Sequence, residues 1–235
     1  MAKKNAKHTY MTDTEVIGGW IFFAVYLLVM PLLLSRLTHI VGVLLDVSVS
    51  SATADRIYYY VVAAVTAALF HRFLGSDVSR FFGSLNRCLS TAGMALVLFY
   101  GANELFYRLC NRFLMPVGNL NDGVIAAAAG ESVPKLTALI VIVLAPFVEE
   151  VLFRGLAFGW LAEKSVPVAY AASALLFAFG YFWRVAVGGV TTASLVTLAQ
   201  YLIPGLVFAW AYGRSGSVLT AVLVHGTVNA LAFVM

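Results

Sequence analysis

Glu149, Glu150 and Arg154 stand in the middle of an otherwise apolar stretch, LAPFVEEVLFRGLAFG, that reads as a helix from Lys135 to Ala162. A charge at the centre of a bilayer costs about 2.5–3.5 kcal/mol on insertion scales, so three together need a use. Glu150 and Arg154, four apart, share one face in the acid-before-base order that suits a helical ion pair. Glu149 points about 100° away from that pair and is the acid left free for another job. Pro146 removes an amide donor just upstream, which should leave the carbonyl of Ile142 without its partner and bend the helix beside the carboxylates. Further along, His225 and Asn229 are again four apart on one helix face, and Tyr181 lies inside another apolar run.

These residues must be positioned by membrane helices. The chain of 235 residues is 62% hydrophobic and only 11% charged, with a mean hydropathy of +0.92, and so lacks the polar surface to cover a soluble globule. The alternating ten-residue segments of a membrane barrel are absent, so the expected fold class is all-α, with about seven spans. They run approximately Val16–Leu34, Ile57–Phe73, Ser90–Leu109, Lys135–Ala162, Val168–Val187, Thr191–Tyr212 and Val218–Met235. Ser35–Arg56 is only partly apolar and adds an eighth, interfacial or re-entrant, segment to the possibilities. Tyr58, Tyr59 and Tyr60 read as headgroup-depth aromatics, and Gly75–Leu89 as a surface-lying amphipathic stretch. Asn103 and Glu104 are candidate buried polar contacts, and Asn119, Asn121, Asp122 and Gly123 form a turn cluster in the long connection Cys110–Pro134. Residues 1–134 thus make N-terminal helices and a connecting loop, and 135–235 a core that carries the polar motifs, all in one membrane domain.

Counted back from the loop ends at 1.5 Å per residue, Glu150, Tyr181, His225 and Asn229 lie about 15–22 Å from the same side. That common depth points to one site within the membrane. Loops on the N-terminal side hold eight Lys and Arg against six on the other, which favours a cytoplasmic N-terminus. The basic residues form no dense run, so nucleic acid is not an expected partner. Cys88 and Cys110 lie in separate regions without a CxxC, and His8, His39 and His71 sit at polar ends, so no cofactor or metal is expected.

The second half of the chain resembles the CPBP family, the CAAX proteases and bacteriocin-processing proteins, which include the Ras-converting endopeptidase of eukaryotes. The family's EExxxR motif is matched by Glu149, Glu150 and Arg154 in EEVLFR, and its final histidine with an asparagine four residues on by His225 and Asn229 in HGTVN. The intervening FxxxH motif is met by Phe177 and then, in the histidine's place, Tyr181. The resemblance implies an intramembrane endopeptidase of bacterial cell-membrane type, which hydrolyses a peptide bond near the C-terminus of a prenylated or membrane-associated peptide. It makes Glu149 the base that activates water, His225 with Asn229 the oxyanion donors, Arg154 the support of Glu150, and Phe177 part of the substrate cavity. A carboxylate kept from water suits a base working near neutral pH, and donors aimed at the oxyanion are commonly a large contribution. A phenol with an unperturbed pKa near 10 donates a hydrogen bond or orients water but is a poor proton acceptor at pH 7. Three readings therefore stand beside one another: a protease, an impaired homologue that binds a peptide or scaffolds a membrane partner, and a transporter, although no repeat relates the two halves. A zinc enzyme with Glu149, Glu150 and His225 as ligands lacks HExxH.

Overall fold

The computed structural model describes residues 11–29, 40, 42–44, 46, 50–115, 134–186 and 189–234. Among them are eight helices and no strand: α1 (Asp13–Ala24, continued in wide π-turns over Val25–Val29), α2 (Ser51–Leu69), α3 (His71–Gly83) and α4 (Leu85–Phe113). After these come α5 (Pro134–Leu139 through to Gly159–Ala162), α6 (Val166–Ala186), α7 (Thr192–Ser215) and α8 (Val218–Val234). Four of them, α4 to α7, are long and apolar enough to cross a membrane, and α2 with α3 make a fifth such unit bent by 82°. The all-α class thus follows the sequence pattern, while the seven expected spans are not confirmed: four helices, or five units with the bent pair, are long and apolar enough to cross. His8, His39 and the turn cluster Asn119–Gly123 lie outside the described residues, as does most of Ser35–Arg56, whose end forms the first turn of α2.

Boundaries shift where one residue redirects the backbone. The second span was expected to reach Phe73, but α2 stops at Leu69 and the chain turns at Phe70. The fully buried rings of Phe70 and Phe73 pin that corner in the core. The stretch Gly75–Leu89 is accordingly not one surface segment: it divides between α3 and the first turn of α4, which starts at Leu85 instead of Ser90. Glu104 is not buried either. It pairs with Arg108 at 2.6 Å on an exposed face of α4, while Asn103 bonds its own helix at Phe99 O.

Local sequence accounts for several helix ends. Thr12 and Glu15 form a reciprocal capping box on α1, and Thr191 with Ser194 does the same for α7. Gly216, at φ +78°, closes α7 in the left-handed conformation that an L side chain resists. Two buried acids then tie the bundle together through the amide groups at helix starts. Glu15 accepts from Phe73 N–H at 2.8 Å, at the head of α3. Asp77, fully buried on α3, accepts from Ser217 Oγ at 2.7 Å and from the amides of Val218 and Leu219 at 3.1 Å, at the head of α8. Arg80 bonds Asp77 at 2.8 Å and the carbonyl of Gly216 at 3.2 Å. Asp77→Ala should therefore release the α7–α8 turn and cost about 2 kcal/mol, the upper end of a cap substitution. Thermal unfolding in detergent checks this, and an unchanged midpoint would show that the turn holds without the acid.

Candidate active site

α5 is not a plain α-helix. Ile140–Leu144 and Val151–Phe158 are wide π-turns that flank the regular turn carrying Glu149 and Glu150. In the first of them Ala145 N–H bonds Ile140 O, and Pro146 has no N–H to offer Val141 in that register. The carbonyl of Val141 is the one left over, and Asn229 Nδ2 donates to it at 2.8 Å. The orphan expected at Ile142 is thus displaced by one residue, because the turn before the proline widens. Gly226 packs on Ile142 so tightly that a Cβ there would lie 2.5 Å from the carbonyl oxygen. Both contacts fix α8 against the proline segment of α5, and with it His225.

Glu149 lies at the wall of a cavity of about 170 Å³ that Phe177, Tyr181, His225 and Asn229 also line. The Tyr181 hydroxyl donates to both carboxylate oxygens, at 3.0 and 3.2 Å. Its ring stacks on Tyr201 with centroids 4.1 Å apart and planes within 10°. Glu149 and Tyr181 also line a smaller cavity of about 50 Å³, bordered by Tyr26 and Tyr59. Tyr26 donates to Glu149 at 3.4 Å from α1. Neither tyrosine was singled out by spacing. Tyr59 read as a headgroup aromatic, whereas it borders both cavities beside Glu149.

Glu150 is brought to the same place but stands behind the cavity wall. It is fully buried, and its Oε1 takes Arg154 Nη1 at 2.9 Å and His225 Nδ1 at 2.8 Å. Arg154, equally buried, reaches on to the carbonyls of Pro204 and Gly205 on α7, at 3.3 and 3.1 Å. Its guanidinium lies 4.4 Å from the Phe177 ring centre and 5.3 Å from that of Phe208, an apolar enclosure in which cation–π contacts count. Phe177 therefore serves both the cavity and this buried cation. Gly205 lets α6 approach α7, since a Cβ there would meet the Ala174 backbone at 2.9 Å. Among the described residues no three His, Cys, Asp or Glu side chains are grouped to hold a metal ion.

One carboxylate, an imidazole and an amide thus border the cavity, with a second carboxylate buried behind its wall, a grouping able to exchange protons and to donate hydrogen bonds. A family model described as type II CAAX prenyl endopeptidase Rce1-like matches residues 131–231. Residues 131–231 are thus similar to the Rce1-like family. The match spans Glu149, Glu150, Arg154, Tyr181, His225 and Asn229 together. A protein of Lactococcus lactis subsp. lactis (strain IL1403), UPF0177 protein YxdF, is 25% identical over 144 residues, covering 56% of this chain and 73% of its own. No solved structure matches the chain. Rce1-like character together with the long apolar helices makes this a multi-pass membrane protein, and at family level it supports a CAAX-type intramembrane protease.

Proposed function

We propose that the chain is an intramembrane endopeptidase that cuts a peptide bond near the C-terminus of a prenylated or otherwise membrane-associated peptide. The observation that carries this is the placement of Glu149: a carboxylate in the wall of a cavity among the apolar helices, held by the Tyr181 phenol and sharing the cavity with His225 and Asn229. Glu149 takes a proton from the attacking water as the new C–O bond forms, and returns it to the departing amine as the C–N bond breaks. Asn229 commits one amide hydrogen to Val141 O and keeps the other for the oxyanion. The excess of basic residues on the N-terminal side supports a cytoplasmic N-terminus, and the Lactococcus relative supports a bacterial cell membrane.

One observation favours a second reading. The Tyr181 hydroxyl donates to Glu149 where the family motif has a histidine, so the site suits a homologue that captures a membrane peptide without cutting it. Comparing wild type, Tyr181→His and Tyr181→Phe on a panel of prenylated and unprenylated peptides separates the two. If the phenol takes part in the cleavage, Phe is far weaker than wild type and His equals or exceeds it. If the chain only binds, wild type and Phe are both silent and His alone revives turnover. Activity indifferent to both changes sinks both versions.

A further inference from the structure

Glu150 Oε1 is shared by Arg154 Nη1 at 2.9 Å and His225 Nδ1 at 2.8 Å, with the carboxylate and guanidinium both withdrawn from solvent. A guanidinium is not deprotonated in proteins, so its partner carries the compensating charge, and a charged carboxylate only accepts. The hydrogen between Glu150 and His225 consequently sits on Nδ1. A ring whose Nδ1 proton is fixed in this way presents Nε2 as its acceptor. The ring cannot readily turn over to exchange its nitrogens, because Phe208 stacks on it at 4.8 Å and Phe177 meets its other flank at 6.0 Å. His225 borders the cavity and Glu150 does not, so the edge opposite Nδ1 is the one left for the cavity.

We infer that Glu150 makes His225 an acceptor, whose Nε2 holds the nucleophilic water beside Glu149, and that the Tyr181 hydroxyl joins Asn229 as a donor to the oxyanion. His225 thereby takes a part other than the oxyanion donor that the family resemblance implies for it, and the change follows from what each side chain can do. A phenol at Tyr181 donates well and accepts a proton poorly, whereas His225 has its one neutral-ring donor turned away from the cavity. The water gives one hydrogen bond to Nε2 and one to Glu149. As its oxygen bonds the carbonyl carbon, its proton passes to Glu149, and negative charge leaves that carboxylate for the carbonyl oxygen. The Tyr181 hydrogen follows the charge. When the C–N bond breaks, Glu149 returns the proton to the amine, and His225 has transferred nothing.

The consequence for catalysis rests on the proteolytic reading, but its basis is a tautomer that can be read without any turnover. The full chain carrying His8→Gln, His39→Gln and His71→Gln keeps His225 as its sole imidazole, and ¹⁵N-histidine labelling in detergent at pH 8 reports both ring nitrogens. We expect a protonated Nδ1 and an unprotonated Nε2. The opposite tautomer, or a ring protonated on both nitrogens at that pH, overturns the inference. Should the triple variant not fold, subtracting the spectrum of a His225→Asn chain from that of wild type gives the same resonances. Adding Glu150→Gln is expected to shift the ring toward a mixture of tautomers, and an unchanged spectrum removes Glu150 as the residue that sets it. Loss of cleavage on every peptide, with the tautomer as expected, would count against the proposed function alone.

Discussion

Replacing Glu149 with glutamine is expected to abolish peptide cleavage while leaving the fold intact. The amide keeps an oxygen that accepts from the Tyr181 hydroxyl, now at 3.0 Å from the carboxylate, so the packing between α5 and α6 survives. What is lost is the capacity to take a proton from water, and general-base contributions are typically about 10²–10⁴-fold. Initial rates on a cleaved peptide, measured beside thermal unfolding of the same preparation, give both quantities. A variant that folds and cuts at the wild-type rate would remove Glu149 from the chemistry and leave the water to a residue not yet identified.

The second large effect is on stability. Arg154→Ala leaves Glu150 buried without its guanidinium, and breaking a buried pair from one side costs about 3–5 kcal/mol. The loss extends past the pair, because the same guanidinium bonds the carbonyls of Pro204 and Gly205 and lies against Phe177 and Phe208. Arg154→Lys keeps the charge but cannot span Glu150 and α7 with one planar fork, and should fall between Ala and wild type. Arg108→Ala is the contrast. Its partnership with Glu104 is exposed, and surface pairs of that kind contribute little. Melting in detergent that ranks Arg108→Ala below Arg154→Ala would contradict the buried network.

Spacing made part of this site legible, and three-dimensional contact made the rest. The offsets of four between Glu150 and Arg154 and between His225 and Asn229 place each pair on a face whatever the bundle does, because helical period alone decides it. Pro146 was equally visible, but which carbonyl it frees depends on whether the turn before it widens, a choice settled by the way α8 packs on it. Tyr26 reaches Glu149 across 123 residues of chain, and no local pattern distinguishes it from an aromatic that faces lipid. Asp77 was hidden for a different reason: beside Arg72, Ser76 and Arg80 it reads as part of a wetted surface, yet it is fully buried under the α7–α8 turn. Glu104 went the other way, an acid in an apolar helix that turned out to be exposed.

The bond between Asp77 and the head of α8 has a bearing on where in a bilayer the protein can work. Hydrophobic mismatch acts on spans through their apolar length, so a membrane that thins or thickens tilts or stretches the contact between lipid and α4, α6 and α7. His225 is seven residues into α8, about 10 Å along the axis from the end that Asp77 grips. That interval is set by helix rise and by hydrogen bonds to α3, the helix turned 82° from α2. The reach of the site below α3 is therefore a constant of the protein, and lipid chain length should alter how readily a substrate segment arrives there more than the position along that segment at which it is met.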